Sequence, residues 1–235
     1  MDYQQVFKRY ELKYVLTLEQ MRRILEGIAP YVTPDQHGNT TIRNLYYDTD
    51  DHRLIRRSLE KPVYKEKLRI RSYALAEAQD PVFVELKKKY RGVVYKRRLA
   101  LPQQEAMDWL AGKSTPQDSQ IVREIQYFAD FYQGLRPVAY LSYSRDAYYA
   151  KAEPDFRVTF DKEIRCRMDG LQLSQPPGGR LLLPEDRVLM ELKTAGGIPL
   201  WMTRLLTREG VQKMFFSKYG TAYQTMIFKG AHSYV

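Results

Sequence analysis

The sequence holds a single cysteine, Cys166, so no disulfide can form within the chain, and no Cys/His cluster offers a zinc site. Cys166 reads as a small residue of a strand. Histidine is almost as scarce: His37, His52 and His232 fall in loop, loop-edge and tail positions. A reaction that needs a positioned imidazole or thiolate is therefore not expected. Also missing are a glycine-rich phosphate loop, a Gly-x-Ser-x-Gly elbow and a His-Glu-x-x-His zinc helix. No apolar run approaches the ~20 residues that span a bilayer. Met1 to Tyr10 is polar and charged, unlike a secretory signal, and a cytoplasmic location is expected. Repeats, low-complexity tracts and linkers are absent too, which favours one domain over residues 1–235.

What is present is basic and foldable. Of 235 residues, 44% are hydrophobic, enough for a sizeable core, and 38 Lys+Arg against 28 Asp+Glu leave a formal charge of +10. Such a surplus points to anionic partners: nucleic acid, anionic lipid or phosphorylated small molecules. Where the charge sits decides among them.

Period-two alternation predicts strands at Phe7–Val15, Ile42–Asp48, Lys65–Tyr73, Val82–Tyr90, Val93–Leu101, Val138–Tyr149, Phe156–Arg165 and Val188–Thr194. Arg91-Gly92 reads as a tight hairpin turn, and Pro154-Asp155 as a second turn. Helices interleave. Thr17-x-x-Gln20 has the form of a capping box, followed by an apolar stripe of Leu18, Met21, Leu25 and Ile28. Ile121, Ile125, Phe128 and Tyr132 form a second stripe. Pro199 suits the first turn of a third helix, and a last helix is expected over Tyr219–Phe228.

Residues two apart in a strand share a face, and here they share charge. Lys67, Arg69 and Arg71 alternate with Leu68 and Ile70. Glu85, Lys87 and Lys89 follow, then Lys96 and Arg98 after the hairpin. Arg9, Glu11 and Lys13 mark the first strand; Tyr143-x-Arg145, Arg157-x-Thr159-x-Asp161 and Glu191-x-Lys193 mark the later ones. One solvated face of an antiparallel sheet would explain any single strand. It explains less well why nearly every strand gathers Arg and Lys, which repel across neighbouring strands unless a polyanion offsets them. The fold class expected is α+β: about eight antiparallel strands closing into a barrel, helices over the apolar faces and a cationic lumen. Glu11, Glu85, Asp161 and Glu191 share those faces, where carboxylates either pair with cations or hold a divalent ion. Phosphoryl transfer to an ionised phosphate needs no general base. Its obstacle is repulsion between anions, which such a lining reduces.

At these residues the sequence resembles the VTC domain, the polyphosphate polymerase branch of the triphosphate tunnel metalloenzymes. The matching segments are Arg9-Tyr-Glu-Leu-Lys-Tyr14, Leu45-Tyr-Tyr-Asp-Thr49, Lys67-Leu-Arg-Ile-Arg-Ser-Tyr73, Val84-Glu-Leu-Lys87 and Tyr95-Lys-Arg-Arg98. Ser142-Tyr-Ser-Arg145, Phe156-Arg-Val-Thr-Phe-Asp161, Met190-Glu-Leu-Lys193 and Phe216-Ser-Lys-Tyr219 complete them. The resemblance implies a tunnel in which ATP binds and polyphosphate grows as ADP leaves. It implies Arg69, Arg71, Arg145 and Tyr143 at the transferring phosphate. Lys13, Lys87, Lys96, Arg98, Lys193 and Lys218 would hold phosphates, and Arg9, Lys67, Lys89 and Arg157 join them from the same faces. Arg56 or Arg57 is a further candidate for the lining. Glu191 is the leading ligand for Mn²⁺ or Mg²⁺, with Glu11 beside it. The wider superfamily opens with Glu-x-Glu-x-Lys; Arg9 in place of the first Glu argues against a triphosphatase or cyclase of that type. Similar stand-alone chains work beside a separate membrane protein, which would bring this one to the inner face of the membrane. Two alternatives remain: a hydrolase of triphosphate or polyphosphate on the same fold, or a non-catalytic barrel for polyphosphate or nucleic acid. Tyr73, Tyr90 and Tyr95 could stack on bases, although no nucleic-acid partner is expected.

Overall fold

A computed structural model describes residues 6–153 and 155–228, with side chains from residue 10 onward. Ten strands form: β1 (Val6–Thr17), β2 (Val32–Pro34), β3 (Thr40–Asp48), β4 (Tyr64–Ser72) and β5 (Pro81–Tyr90) come first. β6 (Val93–Pro102), β7 (Arg136–Ala150), β8 (Arg157–Arg167), β9 (Arg180–Leu181) and β10 (Arg187–Thr194) follow. All eight strands read from alternation are present, and only the short β2 and β9 are additions. Every ladder is antiparallel, in the order β2–β7–β3–β4–β5–β6–β1–β10–β8–β9, and a further ladder joins β7 to β8. With flanking helices the architecture is an α+β fold on an antiparallel sheet.

The turn chemistry behaves as the residues dictate. Arg91 and Gly92 both take positive φ, 46° and 86°, the requirement of a two-residue turn whose twist matches its strands. Pro154 lies outside the described residues. In α1 (Leu18–Ile28) the capping box is complete: Gln20 N donates to Thr17 Oγ1, and Thr17 N to Gln20 Oε1, both at 3.0 Å. Its buried line is Ile24 and Ile28, whereas Leu18 is exposed, so the stripe is rotated from the expected one. The stripe of α4 (Gln120–Tyr132) is buried throughout, and Pro199 caps α5 (Leu200–Arg208).

The helices cover the outer face of the sheet in two groups. Leu68, Ile70, Val84 and Leu86 pack under α4 and α3 (Gln103–Leu110). Tyr14, Leu16, Met190 and Leu192 pack under α1 and α5. A third cluster joins Ile42, Tyr46, Leu141 and Leu189 to α2 (Arg53–Leu59) and α6 (Lys218–Ala222), which runs on into a π-helical turn, Tyr223–Ile227. The last helix thus begins one residue earlier than expected, with Ser217 as its N-cap.

Neither α2 nor α3 is visible as a stripe, since both are short. The start of α2 is organised by one buried carboxylate. Asp48 accepts from the backbone N–H groups of Thr49, Leu54 and Ile55 at 2.8–3.0 Å, and from the Tyr219 hydroxyl at 2.9 Å. It therefore pins α2 and α6 together. Removing it in Asp48→Ala strands four donors, and we expect a loss of about 3 kcal/mol, or roughly 6–12 °C in Tm. Thermal unfolding followed by circular dichroism checks this, and a shift below 2 °C would contradict the pinning role.

Candidate functional site

The ionic residues meet in one cavity of about 600 Å³, to which all eight long strands contribute. Among the described residues fourteen lysine and arginine side chains and two carboxylates, Glu11 and Glu191, line it. Lys67, Arg69, Arg71, Lys87, Lys89, Lys96 and Arg98 face it from β4, β5 and β6. Lys13, Tyr143, Arg145, Arg157 and Lys193 face it from β1, β7, β8 and β10, and Lys218 from the first turn of α6. The strand candidates and Lys218 thus lie on this wall, apart from Arg9, whose side chain is outside the described residues, and from Glu85 and Asp161, which lie beneath it. Arg56 and Arg57 are not on the wall: α2 turns both to solvent, where Arg56 pairs with Asp51 at 3.6 Å.

Beneath the lining sits a second layer of charge. Glu85, fully buried, accepts from Arg69 Nε and Nη2 at 2.9 and 2.7 Å and from Arg98 Nε at 2.7 Å. Lys96 at 3.4 Å and Arg71 at 3.8 Å complete its shell. Asp161, equally buried, takes Arg145 Nε at 2.5 Å, Arg145 Nη2 at 2.7 Å and Lys218 Nζ at 2.5 Å. Glu191 shares Lys218 at 3.0 Å and lies 3.4–3.6 Å from Lys13, Arg145 and Lys193. Glu11 pairs with Lys87 at 2.6 Å. All four carboxylates of the ionic faces therefore make ion pairs. The repulsion anticipated from the sequence is offset partly from within the sheet.

Titration follows from this layout. Burial opposes charge on Glu85, but Arg71, Arg69, Lys96 and Arg98 outweigh it and hold the carboxyl well below its ordinary range. Glu191 is held well below too, burial being outweighed by Lys218, Lys13, Lys193 and Arg145. Lys218 is driven up, because Asp161 and Glu191 overcome its burial. Lys67 shows the reverse: burial first, then Lys13 and Lys87, push it well below the usual ammonium value. Lys67 donates a hydrogen bond to Ser217 Oγ at 2.7 Å. Lys96 is lowered to about 7, chiefly by burial, with Glu85 opposing.

Hydroxyls and amides fix the guanidinium groups. Arg71 donates to Asn44 Oδ1 at 3.0 Å and to the Tyr143 hydroxyl at 3.1 Å, and Arg69 to the Tyr46 hydroxyl at 3.0 Å. Sequence reading missed Tyr46, Asn44, Lys65 and Lys213. Lys65 was within reach, since it continues the 67, 69, 71 series by one step. Lys213 was not, because it lies on an irregular segment between α5 and α6 with no period to read. Cys166 is buried as expected, and burial pushes its thiol up to about 12.

For a metal, the donor chemistry is restricted. Among the described residues no group of three or more His, Cys, Asp or Glu converges. Glu11 and Glu191 are diagonal neighbours on the β1–β10 ladder, in which Lys13 faces Glu191 and Glu11 faces Lys193. Two carboxylates completed by phosphate oxygens suit Mg²⁺ or Mn²⁺ rather than zinc or calcium.

Glu85→Gln tests the second layer. It leaves four cations around a neutral amide, and breaking a buried pair from one side typically costs about 3–5 kcal/mol. The carboxylate's contribution is complete above its unfolded pKa of 4.5 and disappears only as pH falls toward its depressed folded value. The stability gap between wild type and variant should therefore widen as pH falls through 7, where Lys96 gains its proton beside Glu85, and narrow only below about 5. Chemical denaturation across pH measures it; a gap under 1 kcal/mol at pH 7 refutes the role.

The profile of the VTC domain family matches residues 8–227. No curated protein matches the sequence. Among solved structures, a candidate adenylate cyclase from Bacillus halodurans is similar with a TM-score of 0.58 at 16% identity, over 91% of this chain and 96% of that one. A protein from Pyrococcus horikoshii gives 0.46 at 15% identity, over 92% and 98%. A candidate adenylate cyclase from Vibrio parahaemolyticus gives 0.44 at 12%, over 94% and 98%. At such identities the likeness concerns the fold alone, and the first of the three carries it. The match along nearly the whole sequence settles the lineage: the chain belongs to the VTC domain family and has the triphosphate tunnel fold.

Proposed function

We propose that this protein is a polyphosphate polymerase that transfers the γ-phosphoryl group of ATP onto a growing polyphosphate chain within the cationic cavity. The observation that carries the reading is the lining itself: among the described residues fourteen lysine and arginine side chains face one cavity. Among the described residues no histidine joins them. That inventory suits a reaction between two anions that needs charge compensation and no proton abstraction.

The sheet is read here as a closed tunnel. Its ladders run β7–β3–β4–β5–β6–β1–β10–β8, and the β7–β8 ladder supports closure of that circuit into eight strands. In the reaction a terminal oxygen of the chain forms a bond to the γ-phosphorus, the bond to the bridging β–γ oxygen breaks, and ADP leaves with that oxygen. Arg69 and Arg145, anchored by buried carboxylates, and Arg71, held by Asn44 and the Tyr143 hydroxyl, would present fixed donors to the equatorial oxygens. Pre-organised donors of this kind need little rearrangement as charge shifts. Glu191, with Glu11, would hold a divalent cation, which when bound neutralises charge shared between the phosphates. ATP enters as substrate, and the remaining lysines of the lining would hold its phosphates and those of the product chain.

Incubating the purified chain with ATP and Mn²⁺ and resolving the products on a gel tests the reading directly. Long acid-labile chains are expected, whereas free phosphate alone would identify a hydrolase. Glu191→Gln should lower the rate at least tenfold, about 1.4 kcal/mol of barrier, and raise the metal concentration needed for half-maximal rate. Unchanged activity with unchanged metal dependence rejects Glu191 as ligand.

A third expectation concerns protons. In the empty cavity Lys96, at about 7, is largely neutral at pH 8, and Lys67 is displaced in the same direction. A bound polyanion favours their charged forms. Tripolyphosphate binding at pH 8 should therefore take up protons, and at pH 6 fewer, because Lys96 is already charged. Calorimetry in buffers of different ionisation enthalpy reads this uptake; buffer-independent heats at pH 8 would exclude it.

A further inference from the structure

The cavity wall is mostly cationic, and its longest apolar stretch lies on the segment joining α5 to α6. There Met214, Phe215 and Phe216 face the cavity, between Lys213 and Ser217. Phe216 is buried, but Phe215 is 56% exposed and Met214 45%. Large apolar side chains open to water beside a dozen ammonium and guanidinium groups gain nothing from their neighbours' hydration. The segment is nonetheless held in place: Met214 N donates to the Lys13 carbonyl at 2.9 Å, and Lys13 Nζ to the Phe216 carbonyl at 3.0 Å. Lys67 ties it to β4 through Ser217. Phe215 is thus presented on a fixed backbone rather than on a loose loop.

We propose that Phe215, with Met214 beside it, is the stacking platform for the base of a nucleoside triphosphate, placed at the mouth of the cavity framed by Lys65 and Lys89. This rests on the reading of the cavity as a triphosphate site and adds which end the nucleotide occupies and what holds its base. Three observations carry it. The ring of Phe215 has the ammonium groups of Lys65 and Lys61 at 5.4 and 5.6 Å from its centroid. Both sit on flexible stems, so they can turn to phosphate oxygens while a base takes the ring face. Second, the spacing suits a nucleotide: Lys65 and Arg69 are four residues apart on β4, roughly 13 Å. That is comparable to an extended nucleoside triphosphate, which places its γ-phosphate beside Arg69 and Arg71.

Third, the other exposed ring of the wall is already engaged. Tyr73, beyond Arg71 at the opposite end of β4, accepts from Arg98 Nη2 at 2.9 Å and packs edge-on against Phe83 at 5.6 Å. The polyphosphate chain would therefore run from Arg69 toward Tyr73 and leave by that end. Stacking on an unsubstituted phenyl ring reads a base's face and not its edge, so adenine and guanine nucleotides should bind alike and pyrimidine nucleotides more weakly.

The test is equilibrium binding to the full chain, by calorimetry with Mn²⁺. The ligands are an ATP analogue with an imido bridge between the β- and γ-phosphates and inorganic tripolyphosphate. Phe215→Ala should raise the Kd of the analogue about tenfold and leave that of tripolyphosphate within twofold, with Phe215→Trp restoring the analogue's affinity. Equal weakening of both ligands would show Phe215 to be a structural part of the segment, and unchanged analogue affinity would place the base elsewhere; either overturns the platform while the cationic site stands. Wild-type protein that binds neither ligand overturns the site reading and the platform with it. Because the readout is binding, it does not depend on whether chains are made.

Discussion

Repulsion between like charges on adjacent strands is the constraint around which this structure is arranged. Lys67 faces Lys87 on the β4–β5 ladder, and Lys87 faces Lys96 on the β5–β6 ladder. At an effective dielectric near 20, two unit charges 6 Å apart cost about 3 kcal/mol, so a wall of fourteen lysine and arginine side chains needs compensation built in. Glu85 and Asp161 supply it from fully buried positions beneath the lining. Each collects several cations at once, and each fixes guanidinium orientation through paired hydrogen bonds.

The compensation is deliberately uneven in space. Arg69, Arg98 and Arg145 are clamped by carboxylates, whereas Lys67 and Lys65 donate to a hydroxyl and a carbonyl oxygen. The clamped arginines form a rigid, fully charged centre; the lysines toward the Lys65 end form a softer region whose protonation responds to what enters. A polyanion therefore meets fixed charge where geometry matters for transfer and adjustable charge where it only needs to be held.

Helices settle which part of the inner face stays open. The third apolar cluster, built on α2 and α6, fills one portion of that face, and Asp48 locks the two helices together. The same α6 delivers Lys218 to both Asp161 and Glu191. Packing and site are thus coupled through one short helix, whose preceding segment also carries Phe215 to the cavity mouth.

Much of this was legible in the residues. Alternation over Lys67–Arg71, Glu85–Lys89 and Lys96–Arg98 gave the strands and the parity of their charged faces, because a pleated strand has a period of two whatever surrounds it. The hairpin at Arg91-Gly92 and the capping box at Thr17 and Gln20 were equally local. Leu18 shows the limit, since a helix's stripe is visible in sequence but its rotation toward the sheet is set by what it packs against. Alternation could not say which carboxylates pair, nor that Glu85 and Asp161 would lie beneath the wall while Glu11 and Glu191 line it. It could not place Lys213 or Phe215, which lie on backbone without a period, nor Asp48, whose partners are up to 171 residues away. Local periodicity is written in neighbouring residues; ion pairing, burial and the shape of a cavity depend on contacts between distant ones, and only the folded chain decides those.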